Sequence, residues 1–123
     1  MPLILLLEVI SKLSADKDFN GTGISKLELP LVIYWKDSDS KKLYQRIKKL
    51  RKDFGFSPSW EVITDICRNE IMEGEDIVRD NKSIMVDYPD EFIRKMRLTG
   101  LISLRGGGRF IDINKKEQDK VDY

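Results

Sequence analysis

The segment from Lys41 to Phe54 has the most regular pattern in this 123-residue chain, because apolar and basic residues fall on different sides of one helix. The apolar stripe repeats every three or four residues and consists of Leu43, Tyr44, Ile47, Leu50 and Phe54. The second stripe is largely basic and consists of Lys41, Gln45, Lys48 and Lys52, flanked by Lys42, Arg46 and Lys49. Such a helix buries one side and exposes the other, so the pattern predicts a helical core with a basic outer face, ending at Gly55.

Two helices are predicted before this segment. Apolar residues at helical spacing predict the first, from Pro2 to Ser14. Ser25 followed by Glu28 is a capping-box pattern and predicts the start of the second helix. Pro30 lies past the first turn of that helix, so we expect a kink or a short initial turn there.

A fourth helix and a linker are predicted directly after it. Ser57-Pro58 is expected to open a fourth helix ending near Gly74, with Cys67 as a buried thiol. Trp60 on this helix is interpreted as a core anchor rather than as a base-stacking platform. The stretch from Glu75 to Val86 is expected to be an acidic linker with a short strand at its end.

The C-terminal part of the chain predicts a helix and a hairpin. Asp87 and Pro89 are expected to cap and begin the fifth helix, and Gly100 to end it. Two β-prone runs, Leu101–Leu104 and Phe110–Ile113, then flank a glycine cluster and predict a β-hairpin. The division expected from this order is one domain over residues 1–114 and a polar tail over residues 115–123.

Charge is segregated along the chain, although the formal net charge is only +1. Ser38 to Lys52 contains seven bases and one acid, and Arg94 to Arg109 contains five bases and no acid. Between them, Glu61 to Asp80 contains seven acids and two bases. This alternation predicts a polarised surface.

Several classes of protein are disfavoured. A single cysteine cannot form an internal disulfide and fits a reducing, cytoplasmic environment. The apolar run from Leu3 to Leu7 breaks at Glu8, which makes it too short to span a membrane. The chain contains no histidine, the side chain most often used as a general base.

The order of elements, with helices first and a basic hairpin last, is that of a winged helix-turn-helix domain. The fold class predicted is therefore mostly α with a small β-hairpin, in a single winged-helix-like domain. In such domains a helix enters the major groove of DNA and the hairpin, or wing, lies against the phosphates. Arg105 and Arg109 bracket three glycines, and this combination suits a close approach to phosphate, although a solvated turn explains the spacing equally well.

Residues 92–122, which read FIRKMRLTGLISLRGGGRFIDINKKEQDKVD, resemble a stretch of type IIS restriction endonucleases of the AlwI family. The shared features are an aromatic-basic helix, an R-x-TGL turn at Arg97 to Leu101, a glycine-containing basic turn and an ending at Ile113-Asn114. Lys115 stands where the family usually has proline. The upstream runs PLILLLEVISKL, GISKLELPLVIYW and LYQRIKKLRKDF also resemble family helices in the same order.

The resemblance implies a parent enzyme that recognises a short asymmetric DNA sequence and cuts beside it. It also implies a separate nuclease domain of the PD-(D/E)xK type, further toward the C-terminus, which would use Mg²⁺. The partners expected are double-stranded DNA and that nuclease domain of the parent chain, with no membrane. This chain would then be a recognition or linker domain of the enzyme.

No catalytic residue, metal site or cofactor is assigned within the chain. The chemistry needs two acids and a lysine around Mg²⁺. Asp90 with the Asp112-Ile113-Asn114 run lacks the lysine, and Asp65 of the Asp65/Asp80-Asn81-Lys82 set lies in a helical segment. Asp39-Ser40-Lys41 is interpreted as a helix start.

The candidate DNA-contacting residues are the bases of the third helix, the fifth helix and the hairpin. They are Lys41, Arg46, Lys48, Lys49, Lys52, Arg94, Lys95, Arg97, Arg105 and Arg109. Two alternatives stay open: a winged-helix module that docks or spaces other protein domains, and a transcription regulator. One continuous basic patch would favour DNA, whereas scattered charge would favour docking.

Overall fold

Helices and a small antiparallel sheet make up the computed structural model of this protein, which describes residues 2–19, 23–37 and 39–114. The predicted tail over residues 115–123 lies outside the described residues. The prediction of a mostly helical domain with a C-terminal hairpin is confirmed. In chain order the elements are α1 (Pro2–Ser14), β1 (Ile24–Ser25), α2 (Leu29–Tyr34), α3 (Ser40–Phe54), α4 (Trp60–Ile66), α5 (Tyr88–Arg97), β2 (Ile102–Arg105) and β3 (Phe110–Ile113).

The core is built where α1 packs along α3. The predicted bounds of α1 are confirmed, and so is the stop of α3 at Gly55, whose φ of 66° suits glycine. Asp39 begins α3 as predicted, since its carboxylate accepts hydrogen bonds from the backbone N–H groups of Lys41 and Lys42. The fully buried side chains that hold these helices together include Leu6, Ile10, Leu13, Leu43, Ile47 and Leu50.

The second helix starts later than the capping-box pattern predicts. The reciprocal half of that box forms, because Ser25 N–H donates to Glu28 Oε1 at 2.9 Å. Ser25 itself, however, lies in β1, and α2 begins only at Leu29. Pro30 explains the shift, since proline has no N–H to donate and is tolerated only in the first turn of a helix.

Of the two predictions made for residues of the fourth helix, one is confirmed and one is wrong. Cys67 is buried, as predicted, in a π-helical turn, Cys67–Ile71, that continues α4. Trp60 is not a core anchor, because 44% of it is exposed. It occupies the first position of α4, directly after the capping residue Ser59, at the exposed N-terminal end of the helix.

The predicted acidic linker is largely helical, and the strand expected at its end is absent from these described residues. A 3₁₀ turn spans Gly74–Val78, and residues 81–97 then form one helical run that is π-helical over Ser83–Asp87 and becomes α5. The cap is Asp80, which accepts from Ser83 N–H at 2.7 Å, rather than Asp87. The apolar run Ile84 to Val86 explains the difference, because Ile84 and Met85 are buried on the helix and could not be buried by an isolated strand.

The hairpin predicted at the C-terminal end is confirmed and belongs to a three-stranded sheet of order β1-β3-β2. β2 and β3 pair antiparallel, with Ile102 opposite Ile113 and Arg105 opposite Phe110. β1 pairs with the outer side of β3, with Ile24 opposite Ile111. Every helix in the described part of the chain is too short or too polar to span a bilayer.

Candidate nucleic-acid interface

The basic face of α3 is partly neutralised by acids from other elements. Arg46 forms a two-pronged ion pair with Glu70, with Nε–Oε1 and Nη2–Oε2 distances of 3.0 and 2.9 Å. Lys48 Nζ lies 2.8 Å from Asp16 Oδ2. These two predicted DNA-contacting residues therefore hold neighbouring segments of the protein as well.

Asp16 is the centre of a small polar cluster on this face. Its carboxylate accepts hydrogen bonds from Lys48 and from the hydroxyl of Tyr44, and these bonds hold the pKa of Asp16 well below its usual range. The same contact raises the pKa of Lys48. The Lys48 ammonium also lies 5.4 Å from the centre of the Tyr44 ring.

The other predicted bases of α3 point into solvent. Lys41, Lys49 and Lys52 are exposed, and none forms an ion pair with the residues that the structure describes. These three lysines form an accessible row of positive charge beside Arg46 and Lys48, whose charges are partly compensated by Glu70 and Asp16.

The basic residues of α5 also fall into two groups, one in an ion pair and the others without one among the described residues. Lys95 pairs with Glu91 one turn earlier, at 2.9 Å, and both side chains are exposed. Arg94 and Arg97 are exposed and have no ion pair within the described part of the chain. They are therefore the arginines of α5 whose charge is available to a ligand.

The hairpin tip combines basic residues with an open backbone. Arg105 pairs with Asp112 across the hairpin at 3.2 Å, whereas the exposed Arg109 follows the glycines. Gly107 and Gly108 have φ values of 70° and 89°, which glycine adopts without strain. A Cβ at either position would meet no atom within 4 Å, so the turn presents bare backbone to solvent.

A cleft of about 730 Å³ lies between α5 and the hairpin tip. Its charged lining is three bases against one acid, and the acid, Asp90, is paired with Lys26 at 2.6 Å. We call it the basic cleft; its lining is Lys26, Asp90, Ile93, Arg94, Arg97, Leu98, Leu104, Gly107 and Gly108. The fold thus brings Arg94 and Arg97 together with the glycine turn that the sequence marks as a candidate phosphate contact.

A second, smaller cleft of about 360 Å³ shares part of its wall with the first. Its lining is mostly aromatic and apolar, with Lys26 and Arg109 as its bases. We call it the aromatic cleft; its lining is Ser25, Lys26, Leu27, Phe56, Trp60, Met85, Val86, Gly107, Gly108, Arg109 and Phe110.

Sequence reasoning missed Lys26, which belongs to both clefts. Its backbone N–H donates to the carbonyl of Arg109 at 2.8 Å and so fixes the end of β1 against the hairpin tip. Lys26 lies outside both basic blocks of the sequence, and β1 is only two residues long, so no local pattern marks it. The backbone bond to Arg109 places it at the interface.

Acidic residues do not converge on a metal site in the described ranges 2–19, 23–37 and 39–114. Four of the acids that the sequence offers as metal ligands have other partners, and the fifth, Asp65, is exposed on α4. Asp39 and Asp80 cap helices, Asp90 pairs with Lys26, and Asp112 pairs with Arg105. Their contacts are those of structural residues.

Comparison with known proteins identifies one family. The family model described as AlwI restriction endonuclease matches residues 1–123, the whole chain. No curated protein and no solved structure matches the chain. Because this match rests on the amino-acid sequence, it is evidence about function that does not depend on the geometry of the clefts.

Proposed function

The chain belongs to the AlwI restriction endonuclease family, and on that basis we propose that it is the DNA-binding or linker domain of a type IIS site-specific restriction endonuclease. It contacts double-stranded DNA through basic helix faces and the basic hairpin. The enzyme works in the cytoplasm, an environment that the single buried thiol, Cys67, suits.

The observation that supports this proposal most strongly is the basic cleft. Arg94 and Arg97 are one turn apart on α5, and both line the cleft opposite Gly107 and Gly108. Guanidinium groups bind phosphate oxygens through paired hydrogen bonds, and a glycine turn lets a phosphodiester backbone approach the main chain closely. A concave site with exposed arginines and an open turn suits a DNA backbone.

The winged-helix interpretation also belongs to this proposal. In its support, a basic helix, α5, runs directly into the hairpin, and β1 closes the sheet against β3. The hairpin would be the wing, and its tip would lie against phosphate. The two helices between α3 and the hairpin, α4 and α5, make this chain longer than the minimal form of such a domain.

In this proposal the two basic blocks of the sequence contribute unequally to DNA binding. Arg46 and Lys48 give part of their charge to Glu70 and Asp16, whereas Arg94 and Arg97 have no such partner among the described residues. The basic cleft therefore provides the primary contact. The exposed lysines of α3, Lys41, Lys49 and Lys52, add weaker attraction along the surface.

DNA cleavage is assigned to a nuclease domain of the parent enzyme. That domain would bind Mg²⁺ through its own acidic residues, and Mg²⁺ would activate water and stabilise charge on the scissile phosphate. The present chain would contribute binding and positioning. Four of its own candidate acids, Asp39, Asp80, Asp90 and Asp112, are used in caps and ion pairs.

A salt series tests the proposal. The chain is titrated onto a random-sequence duplex at increasing salt concentration, and the logarithm of the binding constant is plotted against the logarithm of salt. Direct phosphate contacts give a negative slope of roughly 0.9 for each contact. Absence of binding at low salt would overturn the DNA-binding assignment.

A docking or spacer role is the second candidate, and one observation favours it. The 3₁₀ turn Gly74–Val78 is acidic, yet Val78 is 83% exposed and the neighbouring Ile77 is 42% exposed. An apolar pair rimmed by acids is typical of a contact with a basic protein surface. In that case the chain would bind an isolated nuclease domain, and substituting Ile77 and Val78 by serine would weaken that binding without changing affinity for DNA.

A further inference from the structure

The aromatic cleft contains a tryptophan where a soluble domain has little reason to expose one. Trp60 is 44% exposed and lines the cleft together with Phe56 and Phe110. Large aromatic side chains are normally buried, and exposed ones in a concave site commonly contact ligands. Clefts of about 300–1,000 Å³ are of the size that takes small organic groups, and this cleft, at about 360 Å³, is at the lower end.

The position of the aromatic cleft indicates what that group is. Lys26, Gly107 and Gly108 line both clefts, so the aromatic cleft lies on one side of the glycine turn and the basic cleft on the other. A ligand that fills both needs a flat apolar part and an anionic part, linked over a short distance. A nucleotide within a DNA strand has this chemistry, since its base is flat and its phosphate is anionic.

We propose that the aromatic cleft accepts a nucleobase turned out of the DNA stack, while the phosphate next to that base lies in the basic cleft against Arg94 and Arg97. The proposal rests on the DNA-binding function proposed above and extends it to a single unstacked nucleotide. Trp60 provides the stacking surface, and Met85 and Val86 form part of the apolar lining.

The glycine turn makes this arrangement sterically possible. Side chains at positions 107 and 108 would stand at the boundary between the two clefts, and glycine leaves that boundary as backbone alone. A sugar can then cross the turn with its base on one side and its phosphate on the other. Arg109, which lines the aromatic cleft, is placed to neutralise the phosphate on the other side of the same nucleotide.

A protein segment is the competing occupant, and the charges argue against it. An apolar peptide would fill the aromatic cleft but leave Arg94 and Arg97 without a partner in the adjoining cleft. A nucleotide satisfies both clefts at once. Substitution of Trp60 separates the two occupants, because a peptide site would give no dependence of DNA binding on this side chain.

The test compares two short duplexes of the same sequence. One contains a bulged, unpaired 2-aminopurine, and the other contains the same 2-aminopurine in a base pair. Stacking of a base on an aromatic side chain changes affinity by about 5-fold to 150-fold, so the chain is expected to bind the bulged duplex more tightly within this range. The bulged probe should also lose fluorescence on binding, as its base stacks on Trp60.

Two variants test whether Trp60 is responsible for the preference for the bulged duplex. Trp60→Ala is expected to abolish the preference for the bulged duplex while leaving the salt dependence unchanged, because the arginines remain. Phe54→Ala is the matched control, since Phe54 is 50% exposed and lines neither cleft. It is expected to keep the preference. The fluorescence change is read on the unaltered chain, so it stands even if Trp60→Ala fails to fold.

The outcomes separate this proposal from the proposed function. Equal, salt-dependent binding of both duplexes without a fluorescence change would overturn the nucleobase site and leave DNA binding standing. A preference that survives Trp60→Ala would also overturn it. Failure to bind either duplex at low salt would overturn the DNA-binding function, and the nucleobase site with it.

Discussion

The guanidinium of Arg51 donates two hydrogen bonds to the carboxylate of Glu28, with Nε–Oε2 and Nη2–Oε1 distances of 2.7 Å each. Both side chains are buried, with 0% and 1% of their surface exposed. Arg51 also donates to the carbonyl of Gly23 and lies against the rings of both Phe19 and Phe56, at 5.1 and 4.7 Å from the ring centres. This pair therefore joins the segment before α2 to the last turn of α3, and Arg51 contacts Phe56, a lining residue of the aromatic cleft.

Removing one partner of this pair is expected to destabilise the protein strongly. Glu28→Ala leaves a buried guanidinium without its counter-charge, and the free energy of unfolding should fall by about 3–5 kcal/mol in urea denaturation. Glu91→Ala, which breaks the exposed pair with Lys95, is the control and should change little. Equal effects of the two substitutions would contradict the role assigned to the buried pair.

Local sequence patterns identify only one partner of the buried Arg51–Glu28 pair. The spacing of Glu28 from Ser25 marks it as a capping residue, and the hydrogen bond that this spacing predicts is present. Arg51 lies within the basic block of α3, and a basic block of sequence does not reveal which member turns inward. Its partner is 23 residues away, and only the packing of α3 against the segment before α2 brings the two together.

The same reasoning explains what can be predicted of the two clefts. Arg94, Arg97 and the glycine turn are close in sequence on a helix and the hairpin that follows it, so they are visible as one basic block. Lys26 and Trp60 come from distant segments. Residue type alone places Trp60 in the core, whereas its exposure depends on its place in the first turn of α4.

Gly23 is expected to tolerate no side chain. Its φ is 68°, and a Cβ there would collide with the carbonyl oxygen of Ile111 on β3. Gly55 has a similar φ of 66° but nothing within 4 Å, so it serves as a matched control. Gly55→Ala should cost only the backbone strain, about 1–3 kcal/mol, whereas Gly23→Ala should cost clearly more because β1 must separate from β3.

Thermal unfolding of the two variants measures this difference. A larger fall in Tm for Gly23→Ala than for Gly55→Ala is expected. If Gly55→Ala were the more destabilising, the close approach of residue 23 to β3 would be wrong.

Asp16 is expected to make stability sensitive to acid. Its pKa in the folded protein is lowered by the hydrogen bonds from Lys48 and Tyr44, so its contribution is fully present above the unfolded value of about 3.9 and is lost as pH falls below it. Asp16→Asn should therefore destabilise the protein at pH 6 and have less effect near pH 3.

Urea denaturation at several pH values measures the effect. The pKa values of Asp76, Asp80 and Glu91 are also lowered, so the variant keeps part of the acid sensitivity. The informative quantity is the difference between the two proteins. A difference that grows toward low pH would contradict the assigned sign.

Cys67 is expected to be unreactive while the protein is folded. Burial raises the pKa of its thiol to about 12, so almost no thiolate is present at pH 8. A thiol reagent such as Ellman's reagent should modify it slowly in buffer and rapidly in urea. Fast modification without denaturant would show that the π-helical turn Cys67–Ile71 opens readily.

The last prediction concerns which basic surface binds DNA. Arg94→Gln with Arg97→Gln removes the arginines of the basic cleft and should lower the slope of the salt plot by roughly 0.9 for each phosphate that the variant no longer binds. Lys49→Gln with Lys52→Gln removes the same charge from the exposed face of α3 and should lower it less. Lys17→Gln with Lys82→Gln is the control for charge alone, since neither lysine lines the basic cleft or the aromatic cleft. If the α3 pair had the largest effect, the row of lysines on that helix would be the main DNA contact, and the cleft between α5 and the hairpin would have to serve another ligand.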